Sequence, residues 1–461
     1  MAMGKQQDKQ PELFIATASL PMSPGHPFYR QLNQLLAQVR FDDFVQELCA
    51  RFYVADVGRP SIPPGVYFRM LFIGYFEGLD SQRGIAWRCS DSRSLQEFLG
   101  FLPTETTPDH SSLSKIRNRL PDVVHEEVFA FVLALAEQHK LLDGKTVGVD
   151  ATLLEANAAM KSLQRRDTGD DFKTYLRKLA AAAGLENPTD EELRCFDRKR
   201  KDKKMSNEEW VSKSDAESKI AKMKDGTTHL AYKAEHVVDL KTELVLAAEI
   251  YPANEADSTT LPQSMMVAEL NLARSQSDAE IKEVTADKGY HELEILAECA
   301  KAAYRTYIPE REQKHDHVWT DKPPEQEKAY RHNRRRVAGE RGKRLQRLRS
   351  EKVERTFAHV CETGGGRRTW LYGIAKTAKR YLMQVAAHNL GIIMRRLFKV
   401  GTPRSLQGLE GALSALSGMC IWAWMQFSTM QSRQITGRTD MTAQPPAIMD
   451  RGLKGIYSTG C

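Results

Sequence analysis

The chain has 461 residues, 41% hydrophobic and 28% charged, with 6 Trp, 14 Tyr and 17 Phe. That length and mixture exclude a disulfide-stapled miniprotein and a disordered polymer, and they predict two or three folded domains. Lys and Arg number 67 against 60 Asp and Glu, a formal charge of +7 that favours an acidic partner without identifying one.

Residues 1–25 are polar and read as a flexible arm. Their opening stretch, MAMGKQQDKQPELF, has no apolar core of signal-peptide type. The seven cysteines (Cys49, Cys89, Cys195, Cys299, Cys361, Cys420 and Cys461) are scattered and never form a CxxC pair. This argues against a disulfide framework and for a reducing, cytoplasmic setting.

From 26 to 140 the pattern is helical. Pro63 and Pro64 precede GVYFRMLFIGYFEGL, and Asp80 or Ser81 can cap RGIAWRCS. Asp109 or a neighbouring hydroxyl can cap the helix of TPDHSSLSKIRNRL, whose exposed side is expected to carry Lys115, Arg117 and Arg119. This region reads as a DNA-binding domain of helix-turn-helix type, or as a helical bundle with a solvated basic face. A longer helix from Pro121 to Lys140 closes it.

At Gly144 the period changes to two. TVGVDATLLEA sets Val147, Val149, Ala151 and Leu153 on one face of a strand and Gly148, Asp150, Thr152 and Leu154 on the other. Residues 157–228 are charged and mainly helical in propensity, which predicts an insertion. YKAEHVVD and ELVLAAEI then predict a hairpin, followed by a helix from DSTTLPQ, a short strand ending at Asp287, a helix over 291–303 and a last strand, YRTYIP. Long helices are expected over 326–355 and 373–398. The tail, 401–461, holds an uncharged stretch, Gly411 to Met430, diluted by Ser, Gly and Gln; it reads as a packed or interfacial helix and not as a membrane span.

Three carboxylates have unusual contexts: Asp150 inside an apolar strand, Asp287 at a strand end before Lys288-Gly289-Tyr290, and Glu354 one step from the helical seam Val353, Phe357, Val360. Glu351 is a local competitor for the third place. An unpaired acid amid valines is costly, which marks Asp150.

The ordered set GVDATLLEANA, HLAYKAEHVVD, TADKGYHE, VERTFAHV, GGGRR and AAHNL, preceded by TPDHSSLSKIRNRL, resembles the bacterial insertion-sequence transposases of the DDE class over roughly residues 26–400. The resemblance implies an α/β fold over 141–400: a ribonuclease-H-like mixed β-sheet flanked by helices, preceded by an all-α N-terminal domain. It implies a catalytic and metal-binding triad of Asp150, Asp287 and Glu354, cleavage at insertion-sequence ends, and strand transfer into target DNA. It also implies a homodimer or larger assembly that holds two ends. Where some such transposases carry Tyr and Arg before the Glu and Lys after it, this chain carries Arg347, Ser350 and Cys361.

Three carboxylates drawn within about 4 Å of one another cost on the order of 4 kcal/mol per pair at an effective dielectric near 20, so cations are needed. Oxygen-only ligands suit Mg²⁺ or Mn²⁺, and a pair of such ions suits in-line phosphoryl transfer. His229, His236, His359 and His388 lack metal-ligand spacing and read as structural.

Between Lys328 and Arg355 there are 12 Lys and Arg residues against 3 Glu. Arg334, Arg335, Arg344 and Arg347 in this run are candidate contacts to DNA phosphates, with Lys233 in the hairpin and Arg367 and Arg368 after the glycine run. Two alternatives accompany the transposase reading: a metal-dependent nuclease without strand transfer, and a catalytically inactive DNA-binding protein.

Overall fold

Among the described residues, seven helices precede the first strand: α1 (Pro27–Gln38), α2 (Phe41–Ala50), α3 (Pro64–Glu77), α4 (Gln82–Asp91), α5 (Arg93–Leu99), α6 (His110–Arg119) and α7 (Asp122–Gln138). This is a computed structural model, and it describes residues 27–54, 60–201, 203, 205–312 and 318–404. The arm and the apolar stretch 411–430 lie outside those residues. Because α3 is apolar on every side, it is buried all round and the other helices pack about it. The expected caps form: Ser81 Oγ accepts from Gly84 N, and Asp109 accepts from Ser111 N.

The sheet begins with β1 (Thr146–Glu155). The charged segment after it is less helical than its composition predicts. It holds β2 (Leu163–Arg165), α8 (Phe172–Ala182), α9 (Asp190–Lys199), β3 (Trp210–Ser212) and β4 (Lys219–Lys222). β2 and β3 form a ribbon of their own, and Leu176, Ala180 and Leu193 make a small separate core. Three-residue strands are too short to show a period, so charge masked them.

The hairpin follows as β5 (Thr228–Asp239) and β6 (Val245–Pro252), then α10 (Asp257–Arg274), β7 (Glu283–Thr285), α11 (Leu293–Lys301) and β8 (Arg305–Tyr307). β6, β5 and β1 run antiparallel to their neighbours, whereas β1, β7 and β8 are parallel, so β1 lies centrally in a mixed sheet. With flanking helices and the all-α segment before it, this is the ribonuclease-H-like α/β architecture that the resemblance implies.

The helix expected over 326–355 is two: α12 (Pro324–Ala338) and α13 (Glu340–Phe357), parted at Gly339, whose ψ of 160° is extended. A π-helical turn (Ala358–Thr363) follows, and the chain then lies along the end of β1, where Thr369 N donates to Glu155 O at 2.9 Å. The last described helix, α14 (Ile374–Phe398), buries 13 residues and packs against α3, α7 and β6. Helical region and sheet therefore share one continuous apolar core, and the described residues all fall within one compact unit. Among the described residues, no helix is long and apolar enough to cross a membrane.

Candidate active site

The two faces predicted for β1 place Asp150 beside Gly148, and both look toward α13. A Cβ on Gly148 would stand 2.7 Å from Leu240 Cδ2 and 2.9 Å from Val353 Cγ2, so only glycine lets the helix lie this close to the strand. Contact at that point aligns Arg349, one helical turn before Val353, with Asp150. Arg349 Nη1 donates to Asp150 Oδ2 at 2.6 Å, while Ala151 N donates to Oδ1 at 2.8 Å. Burial pushes the Asp150 carboxyl above its usual range; Arg349 opposes that shift and the negative charge of Asp287 adds to it.

Asp287 reaches the same place from β7. Gly148 pairs with Thr285, the last residue of β7, and Asp287 follows two residues on, where its negative charge acts on Asp150. Asp287 caps a short 3₁₀ turn by accepting from Gly289 N at 2.7 Å. A Cβ on Gly289 would lie 2.6 Å from Asp257 Oδ2 and 2.8 Å from Asp287 Oδ1, so a further carboxylate, at the start of α10, faces Asp287 across this glycine.

Glu354 is carried on α13 but on its outer side: it is exposed, and Ser350 Oγ donates to its Oε1 at 3.2 Å. Val353, Phe357 and Val360 form the buried seam as expected. The structure thus brings Asp150 and Asp287 together with Arg349 and leaves Glu354 round the helix from them. Among the described residues, no three acidic, histidine or cysteine side chains are gathered closely enough to hold a metal ion.

Lys233 is buried inside the hairpin. Its ammonium donates to Glu255 O (3.0 Å), Thr260 Oγ1 (2.9 Å) and Asp257 Oδ1 (3.3 Å), which uses its three protons within the fold. Behind it, Glu235 is fully buried and accepts from Thr260 Oγ1 and Tyr290 OH; burial pushes its carboxyl upward. His236, directly opposite Asp150 in the sheet, is bonded to Thr356 Oγ1 (2.8 Å) and Tyr381 OH (2.9 Å), so it ties the hairpin to α13 and α14.

Of the basic candidates, Lys115, Arg119, Arg334, Arg335, Arg344, Arg347 and Arg368 are exposed. Arg117 turns partly inward, and its Nε is buried. Arg367 is anchored at the end of β1 by Thr152 Oγ1 (3.0 Å), Leu153 O (2.9 Å) and Glu362. Other members of the basic run hold the fold: Arg341 pairs with Glu283, and Arg336 donates to Thr306 O.

Sequence reasoning missed the roles of Arg349 and Asp257. The i, i+4 spacing of Arg349 to the seam residue Val353 was a signal for the first. For the second, Asp257 at the head of a helix looks like any first-turn acid.

A mixed sheet with a buried carboxylate on its central strand, a second one near it and an all-α region in front defines an α/β protein of the acid-bearing ribonuclease-H-like class. Residues 19–119 match a transposase domain, DUF772, and residues 188–390 match the transposase DDE domain. The chain belongs to the insertion-sequence DDE transposases. Asp287 and Glu354 fall within the DDE match, and Asp150 precedes it. No curated relative and no solved structure matches the chain.

Proposed function

We propose that this transposase cuts DNA at the ends of its insertion sequence and joins the freed 3′ ends to target DNA, with Asp150, Asp287 and Glu354 as its catalytic carboxylates. The observation that carries the reading is the pair Asp150, on β1, and Asp287, just past the end of the adjacent parallel strand β7, close enough for the charge of Asp287 to act on Asp150, with a guanidinium already drawn to Asp150. Arg349 shows that this position attracts positive charge. The donor set is oxygen-only, which fits Mg²⁺ or Mn²⁺, probed as a pair. When bound, such ions supply charge neutralisation and activation of the attacking hydroxyl.

The chain's own residues do the rest. Asp150 would hold the ions from β1 and Asp287 from the turn that follows β7, and Glu354 would complete the set from the helix that Arg349 pins to β1. Asp257, paired with Lys233, packs against Gly289 of the Asp287 turn. The exposed arginines of α12 and α13 (Arg334, Arg335, Arg344, Arg347) would bind phosphates along the approach to Asp150, with Lys115 and Arg119 contributing from α6. Domain limits of 26–140 for end recognition and 141–400 for catalysis accompany this reading, as does a homodimer or larger assembly on the two ends.

The test uses supercoiled plasmid carrying the element's ends. Asp150→Asn, Asp287→Asn and Glu354→Gln should each abolish Mg²⁺- or Mn²⁺-dependent nicking while DNA affinity in Ca²⁺ persists. Joining of a precut 3′-hydroxyl end to plasmid separates a transposase from a simple nuclease. Nicking that survives in all three variants sinks the assignment.

A further inference from the structure

Asp287 lies beyond Thr285, the last residue of β7 that pairs with β1, so the ladder does not fix where its carboxylate stands. Its own bond from Gly289 N is local and shapes the turn without tying it to the sheet. Three side chains supply that tie. On the α13 face of the sheet, Gln346 Nε2 donates to Ala286 O at 3.0 Å. From outside, Arg311 donates to Lys288 O at 3.0 Å and to Gly289 O. On the α10 face, Tyr290, three residues past Asp287, donates its hydroxyl to Glu235 Oε2 at 2.8 Å.

Glu235 belongs to β5, where it pairs with Ala151, the residue after Asp150. The Tyr290 bond therefore joins the turn that carries Asp287 to the ladder that carries Asp150. Both partners are fully buried, and Thr260 Oγ1, which accepts from Lys233 Nζ, donates to the same oxygen of Glu235 at 2.7 Å. Burying a carboxylate costs free energy that bonds from neutral hydroxyls recover only in part. A phenylalanine against a leucine would fill the place without that cost, so stability does not account for the pair. Positioning does. Ligands of a metal ion must be held to within about 0.5 Å of the working geometry. Mg²⁺ demands a near-ideal octahedron, whereas Ca²⁺ accepts longer and more varied bonds.

We propose that Glu235 and Tyr290 are positioning residues for the metal-binding pair, a buried tie that sets the distance between Asp150 and Asp287. The inference rests on the function proposed above, in which those two carboxylates hold the ions. Neither residue of the tie touches an ion or the substrate. Alternation along the strands puts Glu235 on the face of the sheet opposite Asp150, so it acts through the turn. Without the bond the turn keeps its own 3₁₀ shape, but its place against β5 varies. The cation that tolerates least variation should suffer most.

The full-length chain, without DNA, is titrated with Mn²⁺ and the free ion is followed by electron paramagnetic resonance; Mg²⁺ and Ca²⁺ are then added as competitors. Tyr290→Phe should weaken Mg²⁺ by about tenfold and Ca²⁺ by no more than about twofold. Glu235→Leu should do the same, whereas Glu235→Gln, which keeps an acceptor for the Tyr290 hydroxyl, should stay near the parent. Combining Tyr290→Phe with Glu235→Leu should add nothing, because one tie is lost only once. Tyr67→Phe removes another fully buried hydroxyl, bonded to His125 in the helical region, and should lower the melting temperature comparably while leaving the cation preference unchanged. In plasmid nicking, the Mg²⁺ concentration for half-maximal rate should rise by the same factor in Tyr290→Phe, with the rate at saturation within about twofold of the parent. An unchanged ratio of Mg²⁺ to Ca²⁺ affinity in Tyr290→Phe, or a change as large in Tyr67→Phe or Glu235→Gln, overturns the tie alone. Absence of Mn²⁺ binding by the parent, or its persistence in both Asp150→Asn and Asp287→Asn, overturns the functional reading and the tie with it, so the two failures are told apart.

Discussion

Asp150 on β1 and Arg349 on α13 meet at 2.6 Å although 199 residues separate them in the chain. Both side chains are largely shielded, with 20% and 12% of their surfaces exposed. Each therefore neutralises a charge that its partner element could not hold alone. The pair also fixes the place where α13 crosses the central strand, and so the part of the helix that can serve the carboxylates.

Breaking such a pair from one side leaves a buried charge. Arg349→Ala should lower the unfolding free energy by about 3 kcal/mol in urea, and Asp150→Asn in the same background should add little. Additive losses in that double-mutant cycle would mean the pair does not act in solution. Millimolar Mg²⁺ should raise the melting temperature of Arg349→Ala more than that of the parent, since the competing guanidinium is gone.

Gly148→Ala places a methyl 2.7 Å from Leu240 and 2.9 Å from Val353. Overpacking of that kind costs about 1–3 kcal/mol. Lifting α13 also moves Arg349 and Glu354, so plasmid nicking should fall further than stability does. Retained activity in a destabilised Gly148→Ala protein would show that the crossing is not critical.

The exposed arginines predict a salt dependence. Replacing Arg335, Arg344 and Arg347 together by Ala should reduce the slope of log affinity against log salt by about 2.7, at about 0.9 for each phosphate no longer neutralised. Arg341→Ala, which removes the partner of Glu283, should cost stability and leave the slope almost unchanged. Equal slopes for the parent and the triple variant would remove these three residues from the DNA interface.

His125 in α7 predicts an acid limit. Burial pulls its imidazole down to about 4, against 6.5 for a free histidine, and its Nε2 lies 3.1 Å from Tyr67 OH. As the pH falls, the unfolded chain takes up this proton before the folded one, so stability is full above about 6.5 and is lost progressively toward 4. Between pH 7 and pH 5 the loss from this group is about 2 kcal/mol, at about 1.4 kcal/mol per unit. Urea midpoints should follow that trend, and His125→Gln should flatten it; an unaltered slope would assign the loss elsewhere.

Period and capping made most of the architecture legible. The alternation of TVGVDATLLEA set the face of Asp150 correctly, and Ser81 and Asp109 cap the helices they were expected to start. Charge misled in two places. It hid β2, β3 and β4 in the insertion, and it made Lys233 look like a phosphate contact when its ammonium is consumed by Glu255, Thr260 and Asp257. A solvated lysine and a buried one are spelled alike, and the difference lies in what packs over them. Asp150 and Asp287 come near each other because β1 pairs in parallel with β7, a strand far away in the chain, which no local pattern records. Arg349 was one basic residue among twelve until the tight crossing at Gly148 singled it out.

The last described helix, α14, is a keystone common to both halves of the molecule. Exchanging the recognition region for that of a relative by a cut near residue 140 would strip α3 and α7 from the helix they lean on and expose its apolar flank to water. A chimera that is to fold must therefore carry 374–398 from the same parent as 27–138, two distant stretches inherited as one, and a selection for new end specificity would have to vary them in concert.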